Sequence, residues 1–584
     1  MRKILGLSAL AGTVLSAQLL AATVTDIQAV YRHGQVFLTW QEKDLPAAAE
    51  LSVFSSEQPI TQDNLAGAQV LATRVHKSSA RDWWQDPAAF AKDAEAAAPA
   101  GYVIAPGTAP LDPHSGLHVH TVTVGEDGPR HYAVTWSTPE DQGALRTIVP
   151  GVNSTTRPCV VRTEQVQPIW QKDSPAPQQD CARGKALILS LHGRGGGVTA
   201  RSEGGVSSTD CLWFKSAEQG WREGLSGKFA LRITGDAVII SPMDREWVNR
   251  PVLESPDSRD HCPAINTWWY GYNENIAVST RTERIVVRDV THQYLLALIQ
   301  WAQNWLGTDP QQTYVSGGSM GGSGAITLAL KYPQLFAAAY AQVPVYAYTW
   351  EGCSTSKSLT AARLVCNCGP IKDTPAFTTA GKDLLQALDN RLNIAAAHDT
   401  PPIFATNGRK DGSIPWVNNP SFYQAANAAR QAFAVFWNDG DHGMSSQAPD
   451  DVKAWSQLIR RYRLDRSYPA FSNCSDGRQF GNGDPTDGDR IGWINRGFSW
   501  ELLRDSPANY AIAIKVAHPE LSYPVQVDVT LRRRQAFKPA AGDKLQLKLG
   551  DNATTPYTVP ADGILTIPAV SIASPEGVVI ELSR

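Results

Sequence analysis

Five residues, Gly317-Gly318-Ser319-Met320-Gly321, restrict the fold of this chain more than any other stretch. Thr313-Tyr314-Val315 ahead of them is short, β-branched and aromatic, which suits a buried strand. Gly322 to Tyr332 behind them suits a helix, closed by Pro333. A strand, a tight turn and a helix in succession force Ser319 into strained backbone angles. Neighbours without a Cβ let strand and helix approach closely. The Ser319 hydroxyl then stands at the carboxyl edge of a sheet, above a helix N-terminus that favours developing negative charge. Ser323 also has glycine neighbours, but it falls a turn into the helix. The competing reading is an ordinary Gly-rich strand-helix turn.

The surroundings are those of an α/β domain. From about Pro158 to Asp465 strand-like and helix-like segments alternate, the signature of a mostly parallel sheet. Ala186 to Leu191 is a nearly continuous apolar run, as a strand buried on both faces should be, and Ala237 to Ile240 is a second. Arg288 to Leu306 follows helical spacing and Gly307 closes it. Strands are expected at Ala337 to Val343, Ile403 to Thr406 and Phe433 to Trp437, and a closing helix at Val452 to Leu464.

A serine hydroxyl is a weak nucleophile at its own pKa and needs a base. Asn407 to Pro415 follows the Ile403 strand and contains Asp411; Asn438 to Met444 follows the Phe433 strand and contains His442. Loops at the carboxyl ends of parallel strands converge on one edge, so Ser319, Asp411 and His442 can meet in space. Asp439 and Asp441 flank His442 but share its loop, whereas Asp411 follows a strand of its own.

With these residues in order, Lys185 to Leu464 resembles the α/β-hydrolase superfamily, and within it secreted esterases of the polyhydroxybutyrate-depolymerase and feruloyl-esterase type. Leu191-His192-Gly193-Arg194-Gly195-Gly196-Gly197 matches the loop that ends the oxyanion strand, and Gly317 to Gly321 matches the nucleophile elbow. Gly408 to Pro415 and Gly440 to Gly443 match the acid and histidine loops. The resemblance implies acyl transfer. His442 takes the Ser319 proton, Asp411 orients the imidazole, and the oxyanion is held by the Met320 N–H and an N–H near Arg194 and Gly195. It implies no cofactor and no metal, and it assigns His192 the task of fixing the oxyanion loop. The same triad cleaves amides, so a serine peptidase of prolyl-oligopeptidase-like type stays open, as does a silent binding protein on the same scaffold.

The flanks read as β. Residues 23–151 contain Val36 to Trp40, His118 to Val124 and His131 to Trp136, the last two joined by a turn at Glu126-Asp127-Gly128-Pro129 that predicts a hairpin. Short alternating strands with an early Trp and a late Tyr look like a fibronectin type III sandwich. Arg32-His33-Gly34 reads as a hairpin turn, and His118 and His120 as one solvated strand face. Residues 473–584 return to β-type segments and predict a C-terminal β-sandwich. Its Asn482, Asp484, Asp487 and Asp489 have the oxygen ligands of a calcium ring but no EF-hand spacing, so a solvated loop is the expectation.

At the N-terminus, Arg2-Lys3 precede an apolar stretch from Ile4 to Ala22 interrupted by small and polar residues, which predicts an export signal over residues 1–22 rather than a membrane anchor. The expected location is secreted or periplasmic. Eight cysteines in an oxidising compartment allow up to four disulfides. A net charge of −3 gives nucleic acid no electrostatic footing as a partner. Long insertions rich in aromatics follow the catalytic strands, and the chain holds 18 tryptophans. Trp268, Trp269 and Trp416 are the expected substrate contacts, in a cleft for a polymeric or aryl ester.

Overall fold

The computed structural model describes residues 23–32, 35–82, 104, 108–122, 126–138, 147–162, 179–194, 221–223, 229–242, 244–247, 264–273, 284–350, 360–395 and 398–584. The expected export signal at 1–22 lies outside them.

A nine-stranded sheet organises the middle of the chain. Its strands are β1 (Ala186–Leu191), β2 (Trp221–Glu223), β3 (Phe229–Ile233), β4 (Ala237–Pro242), β5 (Thr313–Gly318), β6 (Ala338–Gln342), β7 (Ile403–Gly408), β8 (Phe433–Asn438) and β9 (Gly492–Ile494). They lie in the order β9-β8-β7-β6-β5-β1-β4-β3-β2. From β8 through β4 every pairing is parallel, and antiparallel strands cap both edges. The central strands are mostly apolar because helices and loops cover both faces. Every residue of β7 and of β8 is buried. Three helices bear on the site: α1 (Val290–Trp301), α2 (Met320–Lys331) and α3 (Asn419–Ala428). With β5 leading directly into α2, this part of the chain is an α/β fold on a mostly parallel sheet.

The N-terminal part forms two antiparallel sheets. One pairs Thr23–Arg32 with Gln35–Lys43 and the latter with Gly116–Thr121. The other centres on Glu50–Ser56, flanked by Gln69–His76 and Gly128–Ser137. The hairpin read at residues 126–129 does not form: Gly116–Thr121 and Gly128–Ser137 lie in different sheets. Cys159–Val161 pairs with Gly128–Arg130 and so extends this unit past the boundary expected at 151. His120 is not on a solvated face. Its ring is buried between the Tyr132 hydroxyl and the Glu126 carboxylate.

The C-terminal part also holds two antiparallel sheets. Three strands centre on Val525–Arg532, and five run from Phe498–Asp505 to Thr555–Thr558. Ile512, Ile514, Val527, Val529, Val570 and Ile580 share a fully apolar core with them. The boundary is again not where the sequence suggests. Strand β9 pairs antiparallel with β8, so residues 492–494 complete the catalytic sheet. Tyr468, Ala470 and Trp493 also pack into the same core as Tyr340, Phe404, Phe436 and Trp455.

Candidate active site

Ser319 sits between β5 and α2 with φ 58° and ψ −123°, a strained conformation for a residue with a Cβ. Its amide donates to the Gln342 carbonyl at 2.8 Å, which ties the turn to the end of β6. Ser323 is buried, and its Oγ donates to the Ser319 carbonyl and accepts from Val345 N. That hydroxyl is spent on holding the turn. Met320 opens α2, where the first N–H groups have no intrahelical acceptor. Gly321 lets this turn approach the end of β1, since a Cβ there would collide with the carbonyls of Leu191 and His192. Gly324, one turn on, leaves room for the Trp269 ring.

Asp411 and His442 come from the loops after β7 and β8. Asp411 follows β7, and its carboxylate is fixed from two sides. One oxygen accepts from Ser413 N at 2.7 Å and Ile414 N at 2.8 Å. The other accepts from His442 Nδ1 at 2.7 Å. The Asp411 side chain is 1% exposed and that of His442 37%, so a sheltered carboxylate backs a ring that reaches the surface. The pair sits where the loops after β7 and β8 converge. Asp439 is turned elsewhere, to Lys410 and Arg490, and the hydrogen bond from Lys410 leads in holding its carboxyl below the usual range. Asp441 accepts from Gly443 N within its own turn.

On the other side of Ser319 stands the loop after β1. An ideal Cβ on Gly193 would lie 3.6 Å from that of Ser319. His192 holds this loop in three ways. Its Nδ1 donates to the Gly193 carbonyl at 2.8 Å, its Nε2 accepts from Asp244 N at 2.9 Å, and its own carbonyl accepts from Trp269 Nε1 at 3.1 Å. An imidazole that accepts at Nε2 and donates at Nδ1 is the neutral Nδ1–H tautomer. Since the carbonyl and N–H of a trans peptide point opposite ways, fixing the Gly193 carbonyl on His192 turns the Arg194 N–H outward. Gly195 lies outside the described residues.

Asp244 is the residue that sequence reasoning missed. It is fully buried, and its carboxylate accepts from Thr267 N at 2.9 Å, from Trp269 N at 3.0 Å and from Thr267 Oγ1. It thereby joins the 264–273 segment to His192. Burial raises the nearby Tyr348 phenol, and the Asp244 carboxylate adds to the shift. Asp244 carries no motif. Its only signal is a place just after a parallel strand, and the aromatics beside it drew the reading instead.

Three expected substrate contacts are corrected. Trp269 is 0% exposed, Trp416 2% and Trp268 5%. Trp269 fills the gap over Gly324 and packs at a tilt against His192 with ring centroids 4.8 Å apart. Trp268 meets Tyr348 edge-on, and Trp416 packs on Trp437 beneath the Arg409 guanidinium. All three rings build the interior behind the site. The 479–490 loop is solvated as expected, with Asn482 and Asp484 exposed, and its main-chain carbonyls at Asp484, Asp487 and Asp489 accept from the Arg409 guanidinium. Cys159 and Cys474 are thiols, so four disulfides do not form; burial raises both, Cys474 to about 11.

Residues 265–461 match the model of the Esterase family, described as "Putative esterase". The match spans Ser319, Asp411 and His442 and begins after the oxyanion strand. A search of curated proteins found no match. Among solved structures the chain is similar to an S-formylglutathione hydrolase from Agrobacterium tumefaciens, at 14% identity and TM-score 0.31, over 48% of this chain and 86% of that one. It is also similar to a thermophilic esterase from Thermogutta terrifontis, at 18% identity and TM-score 0.26, over 49% and 82%. A ferulic acid esterase overlaps at 18% identity and TM-score 0.25, over 48% and 85%. Residues 265–461 are thus similar to an esterase family, and the loose structural overlaps add no argument to that match.

Proposed function

We propose, on the premise that residues 265–461 are of esterase type, that the protein is a secreted serine hydrolase that cleaves carboxylic esters through an acyl-enzyme on Ser319. The observation that carries the reading is the 2.7 Å contact between His442 Nδ1 and a sheltered Asp411 carboxylate, one loop away from a serine held at a strained strand-helix turn. Asp411 keeps the imidazole proton on Nδ1, which leaves Nε2 to take the Ser319 proton as Oγ attacks the ester carbonyl. The negative charge then forms on the carbonyl oxygen, against the Met320 N–H and the outward Arg194 N–H. The alcohol leaves with the proton from His442, and water repeats the sequence to release the acid.

The apolar stretch after Arg2-Lys3 supports export. No described helix is long and apolar enough to cross a membrane. We read the two flanking β units as sandwiches, the first of fibronectin type III kind. Their packing against an esterase suits a polymeric ester substrate, and aryl esters fit the same acyl chemistry. An amide bond is the second reading, favoured only by the fact that the same triad serves a prolyl-oligopeptidase-like peptidase.

The test uses one matched panel: a short-chain aryl ester, methyl ferulate, a hydroxybutyrate oligomer and a chromogenic peptide amide. The full chain is expected to cleave at least one ester, and Ser319→Ala to lower kcat by about a thousand-fold or more. Cleavage confined to the peptide would replace the esterase with a peptidase. Full ester turnover by Ser319→Ala would remove the nucleophile from this site.

A further inference from the structure

Three loops, not two, hold the Asp411–His442 pair. The acid loop after β7 and the histidine loop after β8 are laced together by Arg409 N donating to the Asn438 carbonyl at 2.9 Å and Lys410 N to the Gly440 carbonyl at 3.0 Å. The third member comes from beyond the catalytic stretch. Residues 479–490 lie between the hydrolase helices and β9, and they close over both loops.

Their grip is specific. The Arg409 side chain is almost wholly buried, and it ends in a ring of main-chain oxygens. Nη1 donates to the Asp489 carbonyl and Nη2 to that of Asp484, both at 2.8 Å, with the Asp487 carbonyl also bonded to Nη2. Trp437 Nε1, from β8, donates to the same Asp489 carbonyl at 2.7 Å. The loop's acidic side chains are turned to its own amides: Asp489 accepts from Gln479 N, Asp487 from Asn482 N and Asp484 from Thr486 N. The cation held by this loop is the Arg409 guanidinium, on the main-chain carbonyls rather than on the carboxylates. From the end of the same segment Arg490 reaches Asp439, which also accepts from Lys410 Nζ at 2.7 Å. Phe480 completes the contact by meeting the Tyr423 and Trp437 rings edge-on.

We propose that residues 479–490 are a strap that sets the position of the catalytic pair, with Arg409 as its anchor, so that the chain after the hydrolase helices is part of the active-site architecture. Arg409 stands two residues before Asp411. With its side chain pinned inward, the backbone between them has one course, and that course aims the Asp411 carboxylate at His442. Arg409 touches neither substrate nor reacting atoms. It is a positioning residue, and a planar fork with several donors is what the carbonyl ring requires; an ammonium on a flexible stem can satisfy only part of it.

The inference rests on the reading of Asp411 and His442 as acid and base. The experiment measures kcat and KM on a short-chain aryl ester from pH 5 to 9, with melting temperatures, for the full chain and for Arg409→Lys, Arg409→Ala, Arg490→Gln and His442→Ala. Arg409→Lys is expected to lower kcat by about ten- to a hundred-fold, the cost of a small misplacement of a catalytic group, with KM within about two-fold. Arg490→Gln should lower kcat by a smaller factor, again with KM little changed. A lowered melting temperature with wild-type kcat would overturn the strap. Should Arg409→Ala fail to fold, the lysine and Arg490 variants decide. An active His442→Ala would instead remove the underlying site, whereas an inert one beside a wild-type-like Arg409→Lys would remove only this inference.

Discussion

His292 is the most unusual single residue outside the site. It lies in α1, fully buried, with both ring nitrogens lacking a hydrogen-bond partner among the described residues. The rings of Tyr270 and Tyr332 meet it edge-on at 5.1 Å and 5.5 Å. Burial drives its pKa well below the ordinary value, and the Lys331 ammonium adds to this. The folded protein therefore keeps this imidazole neutral while the unfolded chain protonates it below about pH 6.5. Its contribution is complete above that pH and is lost as pH falls, by up to about 1.4 kcal/mol per unit. His292→Phe should keep stability within about 1 kcal/mol at pH 8 and flatten the acid side of the stability profile; denaturant melts of both proteins at pH 5 and pH 8 check it. The triad candidates were legible at this same scale, because Ser319, Asp411 and His442 each stand in a short motif just past a strand. His292 and Asp244 were not, since burial and partners belong to tertiary structure and neither residue has a local signature.

At the scale of elements, the nucleophile turn depends on two neighbours it does not touch in sequence. The loop after β1 is held by His192, and His192 is held by the 264–273 segment wound around Asp244. Trp268 and Trp269 have φ of 55° and 61° there, so the segment carries strain that the carboxylate's three acceptor contacts offset. Asp244→Asn would replace one acceptor by a donor facing N–H groups. We expect a loss of about 1–3 kcal/mol in stability. kcat should fall by about ten-fold through the displaced Gly193–Arg194 peptide, with KM little changed; paired melts and steady-state kinetics measure both. The sequence showed the alternation of strands and helices plainly, since buried parallel strands are continuous apolar runs. It misplaced the tryptophans for a related reason: an aromatic in a long insertion looks the same whether it lines a cleft or, like Trp269 over Gly324, plugs the interior.

Across the whole molecule, unit boundaries drawn from composition fall in the wrong places. Cys159–Val161 extends the N-terminal sheets, and β9 crosses back into the catalytic sheet. Pattern alone cannot reveal such returns, because a three-residue edge strand has no period to read. The C-terminal unit is further bound to the hydrolase by arginines. Arg496 is paired with Asp451 and Glu520, and Arg532 with Asp399 and the carbonyls of Ala429 and Arg430. A chain ended after residue 465 would expose Phe436 and Trp455 where Tyr468 and Trp493 now pack. It should be insoluble or inactive, and the intact hydrolase and C-terminal units should melt in one calorimetric transition; solubility, ester turnover and calorimetry test this. The strap also sets a schedule for biosynthesis. A ribosome that has just added His442 has made a chain without its third loop, and about fifty more residues must emerge before β9 can join the sheet. On the strap proposal, the Asp411–His442 pair is set only once residues 479–494 have been made and β9 has joined the sheet.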